Sequence, residues 1–524
     1  MQEVRSMSMK TVEKKAANRS GILRALFAII CILLEVGFWY FIYIVLNTYL
    51  TYFNIILRIF ALILVINLYA SQRKSAIKMP WIMLILTDPI FGTFLYLMIG
   101  TGAQTKNMKH RYHEIDDELM PLLTNNEKDF LDLKQVNPSA AGIASYIYKT
   151  GRYPVYHDSD VEYYDEALKG LEAQLEELKK AEHFIFMEYH AIENKESWKR
   201  IQDILVEKVN AGVEVRVFYD DMGSIGFVDT SFAKELQALG IQCQVFNPFM
   251  PGLNMFLNNR DHRKITVIDG RVGFTGGYNL ANEYFGVTHP YGMWKDTGIK
   301  ITGPAVKSLT VAFLEMWNAS KKGKFDSDYV KYLPDFEYTP ENAGYIAPYA
   351  YSPLRNTHIG EDVYINMLDK ANDYCYFITP YLVLSDEMIH AMNVASMRGV
   401  DVRIITPGIP DKKVVYSVTR SFYSVLAKRG ARIYEWTPGF CHAKMCVVDD
   451  KMATCGTINL DYRSLYHHFE NGCFMSDCQT VLDIKKDFEN MFNECKEVTE
   501  DYKEGMKATL RLGQQILRLF AGLL

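Results

Sequence analysis

The chain has 524 residues, of which 49% are apolar and 23% are charged, and its formal net charge is -5 at pH 7. This length is sufficient for two or three domains, each with its own core, and the composition is that of an ordinary globular protein. The acidic balance excludes a basic surface extending over the whole protein, so we expect no nucleic acid among its partners.

Apolar residues are concentrated at the start of the chain, and they predict a membrane anchor at residues 1–100. Residues 22–47 and 53–71 are each about as long as the roughly 20 residues that cross a bilayer. A cleaved signal peptide is the alternative, but the first apolar run is too long and has no small-residue cleavage site. The sequence therefore predicts two transmembrane helices joined by a short polar turn.

A third apolar segment, residues 80–100, is interrupted by Asp88, Pro89 and Gly92, so it either spans the membrane or forms a re-entrant hairpin. Basic residues lie in the N-terminal tail, at residues 73–78 and again at residues 106–111. Because basic segments stay in the cytoplasm, we favour the re-entrant form. The predicted location is the cell membrane, with a multi-pass anchor and cytoplasmic catalytic domains.

The rest of the chain alternates short β-rich runs with amphipathic helices, which is typical of an α/β fold with a parallel or mixed sheet. The pattern occurs twice: Gly212-Val-Glu-Val-Arg follows one helix and Gly399-Val-Asp-Val-Arg follows another. A duplication of this length predicts two copies of a domain. The predicted parts are a connector at 101–145, a first domain at 146–323, a proline-rich linker at 324–353, a second domain at 354–500 and an amphipathic C-terminal helix at 501–524.

Each copy contains one His-x-Lys strand followed by an aspartate, a glycine and an asparagine at the same offsets. The first set comprises His262, Lys264, Asp269 and Asn279, and the second comprises His442, Lys444, Asp449 and Asn459. One such pair on a strand is commonplace. Two copies with the same spacing indicate a functional site.

The chemistry of this repeat follows from strand geometry. Alternate residues of a strand point to the same face, so His262 and Lys264 project together, as do His442 and Lys444. If the two copies pack about a pseudo-twofold axis, two imidazoles and two ammonium groups converge. Such a site suits a phosphate: cations and amides neutralise its oxygens, one imidazole attacks, and the other protonates the leaving alcohol.

We expect the two motif aspartates to have a different role. Asp269 and Asp449 each lie five residues after the motif lysine, an odd offset that turns them away from the reactive face, so we expect structural roles. An attacking imidazole also needs an acceptor on its other nitrogen. The candidate acids are Glu470 and Asp296, and a plain surface carboxylate is the alternative for each.

The two segments resemble the paired HxKxxxxD motifs of the phospholipase D superfamily. This resemblance implies that His262 is the nucleophile and that His442 is the general acid and then the general base. It also implies that Lys264, Lys444, Asn279 and Asn459 bind the phosphate. Both halves are nearly symmetric in sequence, so the choice of nucleophile rests on the resemblance alone.

Further segments resemble bacterial cardiolipin synthases in particular, and they cover almost the whole chain. They are EYHAI near Glu188, YDDMGS at 219–224, NRDHRK at 259–264, FTGGYNLANEY at 274–284, TPYLVLSDEM at 379–388 and NLDYRS at 459–464. Three positions depart from the pattern: Asn282 replaces an expected Asp, His468 replaces an expected Asn, and the chain ends in RLFAGLL.

The resemblance implies phosphatidyl transfer between two phosphatidylglycerol molecules, with cardiolipin and glycerol as products and a phosphohistidine intermediate. Hydrolysis of phospholipid, or less readily of nucleic acid, is the alternative. The sequence contains no Gly-rich phosphate loop and no recognisable cluster of metal ligands, so we expect no cofactor and no metal. The expected partners are phosphatidylglycerol and membrane lipid, and a homo-oligomer is an open possibility.

Overall fold

The computed structural model describes the greater part of the chain. The described residues are 30, 33–41, 43–45, 51–71, 73–101, 106–124, 126–248, 259–321, 323–342, 344–355, 357–504, 512–519 and 521–523.

The segment before residue 101 is helical and is interrupted where the sequence predicts a break. Its helices are α1 (Thr51–Ala70), α2 (Ser75–Thr87) and α3 (Pro89–Leu95), followed by a π-helical turn at Tyr96–Gly100. Between α2 and α3, the Asp88 carboxylate accepts a hydrogen bond of 3.1 Å from the Phe91 amide. Because Pro89 cannot continue a helix and Asp88 caps the next one, the helical segment is interrupted at this point.

The two predicted membrane spans are not supported by the structure. Half of the first span, residues 22–47, lies outside the described residues, and the second, residues 53–71, corresponds to α1. Within the described part of the chain, no helix combines the length and the hydropathy needed to cross a membrane.

The catalytic part contains two mixed sheets, which confirms the predicted α/β class with mixed sheets. We call the stretches that form the first and second sheets the first half and the second half. The elements of the first half are β1 (Asp160–Tyr164), α7 (Ala167–Lys180), β2 (Phe184–Tyr189), α8 (Glu196–Asn210), β3 (Glu214–Asp220), α9 (Phe232–Ala238), β4 (Gln242–Phe246), β5 (Arg260–Asp261), β6 (Lys264–Ile268), β7 (Val272–Gly276), β8 (Met293–Lys295), β9 (Gly298–Thr302) and α10 (Val306–Ser320).

The second half repeats this series of strands and helices. Its elements are β10 (Tyr345–Tyr351), α11 (Ile359–Lys370), β11 (Tyr374–Ile378), α12 (Asp386–Met397), β12 (Asp401–Pro407), α13 (Lys413–Ala427), β13 (Arg432–Trp436), β14 (Gly439–Cys441), β15 (Met445–Val448), β16 (Met452–Gly456), β17 (His468–Ser476), α14 (Gln479–Glu494) and β18 (Cys495–Glu497).

The strand orders of the two sheets correspond. The first is β1-β9-β7-β6-β2-β3-β4, and the second is β10-β17-β16-β15-β11-β12-β13-β18. In both, the strand that follows the motif histidine, β6 or β15, occupies the fourth position, next to β2 or β11. Strand β10 lies within residues 324–353, which the sequence predicts to be a linker because of prolines such as Pro348. Proline is tolerated here because β10 lies at the edge of its sheet.

The predicted connector, residues 101–145, contains helices that pack against both halves. They are α4 (Lys106–Leu119), α5 (Glu127–Val136) and α6 (Pro138–Gly151), the last of which extends beyond the predicted boundary. The Arg111 guanidinium donates to carbonyl oxygens at the end of α10, including those of Asn318 at 3.0 Å and Lys321 at 2.7 Å. These bonds satisfy carbonyls that a helix end leaves without partners.

The described end of the chain packs on the second half. It contains α15 (Thr499–Lys503) and α16 (Leu512–Leu519). The Arg518 guanidinium lies 4.2 Å from the ring centroid of Phe422 in α13. The described residues of the predicted C-terminal helix at 501–524 therefore pack against the second half, and residues 505–511 lie outside the described part.

Candidate active site at the contact between the two halves

Two short strand pairs join the halves and bring each motif histidine next to the other half. Strand β5, directly before His262, pairs in parallel with the start of β17, with Phe469 opposite Asp261. Strand β14, directly before His442, pairs in parallel with β8, with Cys441 opposite Lys295. Each motif histidine therefore lies next to a residue of the opposite half. For His262 it is the residue directly after Phe469, and for His442 it is the residue directly after Lys295.

Those residues are the two candidate acids. The Nδ1 atom of His262 lies 2.9 and 3.0 Å from the two carboxylate oxygens of Glu470. The Nδ1 atom of His442 lies 2.7 Å from Oδ2 of Asp296. Glu470 and Asp296 are 0% and 1% exposed, so neither is a surface carboxylate. The contacts are reciprocal, because each half supplies the acid for the histidine of the other.

The partners of Nδ1 differ between the two imidazoles. An ionised carboxylate can only accept hydrogen bonds, so beside ionised Glu470 the Nδ1 atom of His262 carries the ring proton and Nε2 has a free lone pair. Nδ1 of His442 lies 2.7 Å from the Lys444 ammonium as well as 2.7 Å from Asp296. An imidazole with a lone pair on Nε2 can act as a nucleophile, and His262 has that arrangement.

The two motif lysines are buried beside the histidines. Lys264 and Lys444 are each 1% exposed, and the Lys264 ammonium donates a 2.7 Å hydrogen bond to the carbonyl oxygen of His262. Burial lowers the pKa of Lys264 to about 7. The charge of Glu470 raises this pKa, and the charge of Lys444 lowers it further. Burial likewise lowers the pKa of Lys444 to about 8, opposed by Asp296 and Glu470. The interaction between lysines of different halves means that the two motifs form one site.

Burial also keeps both motif histidines neutral at physiological pH. It holds the pKa of His262 well below its ordinary value, and the charges of Lys264 and Lys444 lower it further. For His442, burial and the Lys444 charge outweigh Asp296 and lower the pKa to about 3. A phosphodiester anion entering the site would raise both values, because an opposite charge favours the protonated imidazole.

The side-chain amides of the two motif asparagines differ in their hydrogen-bond partners. Nδ2 of Asn279 donates to the Tyr284 hydroxyl at 2.8 Å, and its Oδ1 accepts from the Ala191 amide at 3.1 Å. Asn459 is 4% exposed, and its Oδ1 has no hydrogen-bond partner. A carbonyl oxygen cannot donate to a phosphate, so both amides contact an anion only through Nδ2. Their predicted role in phosphate binding stays a prediction.

The motif aspartates lie away from the histidines and fix the turns behind the strands. The Asp269 carboxylate accepts hydrogen bonds of 2.7 to 2.8 Å from the amides of Glu182, His183 and Phe184. The Asp449 carboxylate accepts the equivalent three, of 2.7 to 3.0 Å, from residues 372–374. Both aspartates have a φ of 52°, a left-handed conformation that short polar side chains tolerate. This geometry corresponds to the structural role predicted from their offset.

Several residues around the histidines were not predicted from the sequence. His190 and His468 flank His262, with ring centroids 5.0 and 5.5 Å from its own. Aromatic rings flank His442 instead: the centroids of Tyr284, Trp294 and Phe440 lie 5.3 to 5.8 Å away. His468 was noted as a departure from the family pattern, which was the available signal. No sequence signal indicated the three aromatic residues, because they come from three separate segments of the chain.

Comparisons with known proteins agree with this geometry. The family model described as "Cardiolipin synthase, PLD-like domain" matches residues 175–317 and 364–492, one match in each half. A cardiolipin synthase of Alkalihalophilus pseudofirmus is 30% identical over 426 residues, which cover 81% of this chain and 84% of that protein. An uncharacterized protein of Streptococcus mutans is 39% identical over 460 residues, covering 88% of this chain and 99% of the other.

A solved structure supports the fold. The phosphatidylserine synthase of Haemophilus influenzae superimposes with a TM-score of 0.56 at 14% identity, covering 74% of this chain and 98% of that chain. At this identity the likeness concerns the fold alone.

Proposed function

This chain belongs to the cardiolipin synthase family with phospholipase D-like domains, and from that membership we propose that it transfers a phosphatidyl group from one phosphatidylglycerol to another. The products are cardiolipin and glycerol. The observation that carries the proposal is the reciprocal contact of His262 with Glu470 and of His442 with Asp296, which gives one site two supported imidazoles.

In the first step, Nε2 of His262 attacks the phosphorus of phosphatidylglycerol, and a phosphorus–nitrogen bond forms. The bond from phosphorus to the glycerol oxygen breaks, and protonated His442 gives its proton to that oxygen. Glu470 supports the attack, because its carboxylate stabilises the positive charge that develops on the His262 ring. Lys264 and Lys444 offset the charge of the phosphate oxygens, which is the role of preorganised cations in a buried site.

In the second step, the hydroxyl of a second phosphatidylglycerol attacks the phosphohistidine. His442, now neutral, takes the hydroxyl proton, and the phosphorus–nitrogen bond breaks to release His262 and cardiolipin. One phosphodiester replaces another at similar energy, so the reaction needs no nucleotide. The proposed residue roles are nucleophile for His262 and acid then base for His442.

A lipid substrate also bears on the location of the protein. We propose association with the cell membrane, with the site taking phosphatidylglycerol from the inner leaflet. This proposal rests on the apolar N-terminal sequence and on the lipid substrate of the family.

The test is an assay of the purified protein with phosphatidylglycerol as the sole lipid. We expect cardiolipin and glycerol in equal amounts. The matched control is His262→Ala, which lacks the proposed nucleophile and should form neither product. Phosphatidic acid as the main product would overturn the transferase proposal in favour of hydrolysis.

A further inference from the structure

A histidine of unexplained role lies beside the proposed nucleophile. His468 is 8% exposed, and neither of its ring nitrogens has a hydrogen-bond partner. A buried polar group without a partner is costly and uncommon, so its presence calls for a ligand or a function. The phosphatidyl transfer described above gives His468 no task.

The side chains next to His468 supply what a metal ion requires. Ligand atoms of His262, His468 and Glu470 all lie within 4.8 Å of one another, and all three residues are buried. Nδ1 of His468 is 3.5 Å from Oε1 of Glu470, and Nδ1 of His262 is 2.9 Å from Oε2 of the same carboxylate. Both imidazoles therefore turn a nitrogen towards one carboxylate.

These distances fit a tetrahedral zinc-type ion. Zinc binds imidazole nitrogens and carboxylate oxygens at about 2.0 to 2.2 Å, which places neighbouring ligand atoms about 3.4 Å apart. The separations of Oε1 of Glu470 from Nδ1 of His262 and from Nδ1 of His468 are 3.0 and 3.5 Å, one on either side of that value. Two histidines and one glutamate form a ligand set that zinc sites use while leaving a fourth position open.

We propose that His262, His468 and Glu470 form an inhibitory binding site for a divalent ion of the zinc type. The ion binds Nδ1 of the neutral His262 imidazole, and the single ring proton then sits on Nε2. The ion lies between the imidazole and Glu470, and Nε2 has no free lone pair with which to attack phosphorus. Metal binding and formation of the phosphohistidine therefore exclude each other.

Nearby groups are compatible with a cation at this position. The ammonium of Lys264, the motif lysine beside His262, donates a 2.7 Å hydrogen bond to the His262 carbonyl oxygen. On the far side of His262, the His190 ring has its Nδ1 engaged with the Asp261 carbonyl at 2.7 Å. His190 therefore lines the site without binding the ion.

The first test measures binding directly, and it does not depend on the proposed function. Full-length protein in detergent is stripped with a chelator, desalted and titrated with Co²⁺, whose visible absorption bands report tetrahedral coordination. We expect these bands in the unmodified protein and in the matched control His467→Asn, and their loss in His468→Asn. Bands that persist in His468→Asn, or no bands in the unmodified protein, would overturn the proposal.

The second test uses the transfer reaction, and it rests on the proposed function. Each variant is compared with its own rate without metal. The zinc concentration that halves the rate should rise at least about 10-fold in His468→Asn, the scale of affinity lost when metal-site support is removed, and stay within about twofold in His467→Asn. Equal zinc sensitivity in both variants contradicts the proposal.

A third measurement applies to the unmodified protein, in case His468→Asn does not fold. Modification of histidines by diethylpyrocarbonate is mapped on peptides with and without Zn²⁺. Zinc should protect His262 and His468 and leave His467 as reactive as before. Protection of all three residues, or of none, would count against a site at the predicted position.

Discussion

The motif lysines Lys264 and Lys444 have pKa values close to physiological pH. Burial lowers their pKa values to about 7 and about 8, whereas an exposed lysine stays charged to above pH 10. A lysine is neutral above its pKa, so the site loses positive charge as the pH rises through this range. Binding of the phosphodiester anion should weaken accordingly.

We therefore predict that kcat/KM for phosphatidylglycerol falls between pH 7 and pH 9, because this ratio reports ionisations of the free enzyme. The decline should be about tenfold per unit once one required lysine is neutral. In Lys264→Arg the guanidinium stays charged, so the remaining decline should start near pH 8, where Lys444 titrates. A ratio that is constant or rises over this range would contradict the assigned role of the lysines.

At the scale of elements, the pair β14 and β8 holds the second acid in place. Gly439 in β14 lies opposite Met293 in β8. A Cβ atom at Gly439 would come 2.0 Å from the Met293 carbonyl oxygen and 2.5 Å from its amide nitrogen. Both are backbone atoms, so the strands would have to separate, and Asp296 directly follows β8.

We predict that Gly439→Ala lowers the transfer rate by about 100-fold, which is the cost of displacing a catalytic geometry by about 1 Å. The fold should persist, since overpacking of this kind costs about 1 to 3 kcal/mol. The rate is measured together with the circular dichroism spectrum. The control is Gly142→Ala, in a helix where an added Cβ meets nothing within 4 Å. A rate in Gly439→Ala equal to that of the control would show that this strand pair does not position Asp296.

The same elements show what the sequence could predict. Strand alternation places His262 beside Lys264, and the duplicated motif indicates two copies of one sheet, because both are local patterns. The pairing of β5 with β17 and of β14 with β8 is not local. These pairs involve two or three residues each and join segments far apart in the chain, so no periodicity indicates them. The identity of the acid behind each histidine was therefore open, although both candidate residues were named.

The edge strand β10 and the membrane segment were predicted less well, for different reasons. Pro348 is typical of a linker, and only the sheet order explains why a strand accepts it. The membrane segment was predicted from hydropathy, a property of composition, whereas the described helices α2 and α3 are short and broken at Asp88. Apolar side chains there form a small cluster of their own, which includes Ile85 and Tyr96.

At the scale of the whole molecule, the site exists because the two halves of a single chain meet. His262 lies in the first half and its acid, Glu470, in the second, whereas His442 lies in the second half and Asp296 in the first. In the proposed mechanism each half-reaction uses both histidines, so loss of either one should abolish turnover. The single variants His262→Ala and His442→Ala should therefore both be inactive.

The two variants together test whether the site is complete within one chain. We predict that co-expression of His262→Ala and His442→Ala, each with its own affinity tag and purified through both tags, restores no activity. Each chain would still bring its own altered histidine to its own site, since the acid contacts join halves of the same chain. Separately purified single variants provide the background rate, and the unmodified protein carrying both tags on co-expressed chains provides the positive control. Recovery of cardiolipin synthesis well above background would mean that halves of different chains meet in an oligomer, and the single-chain site would then be wrong.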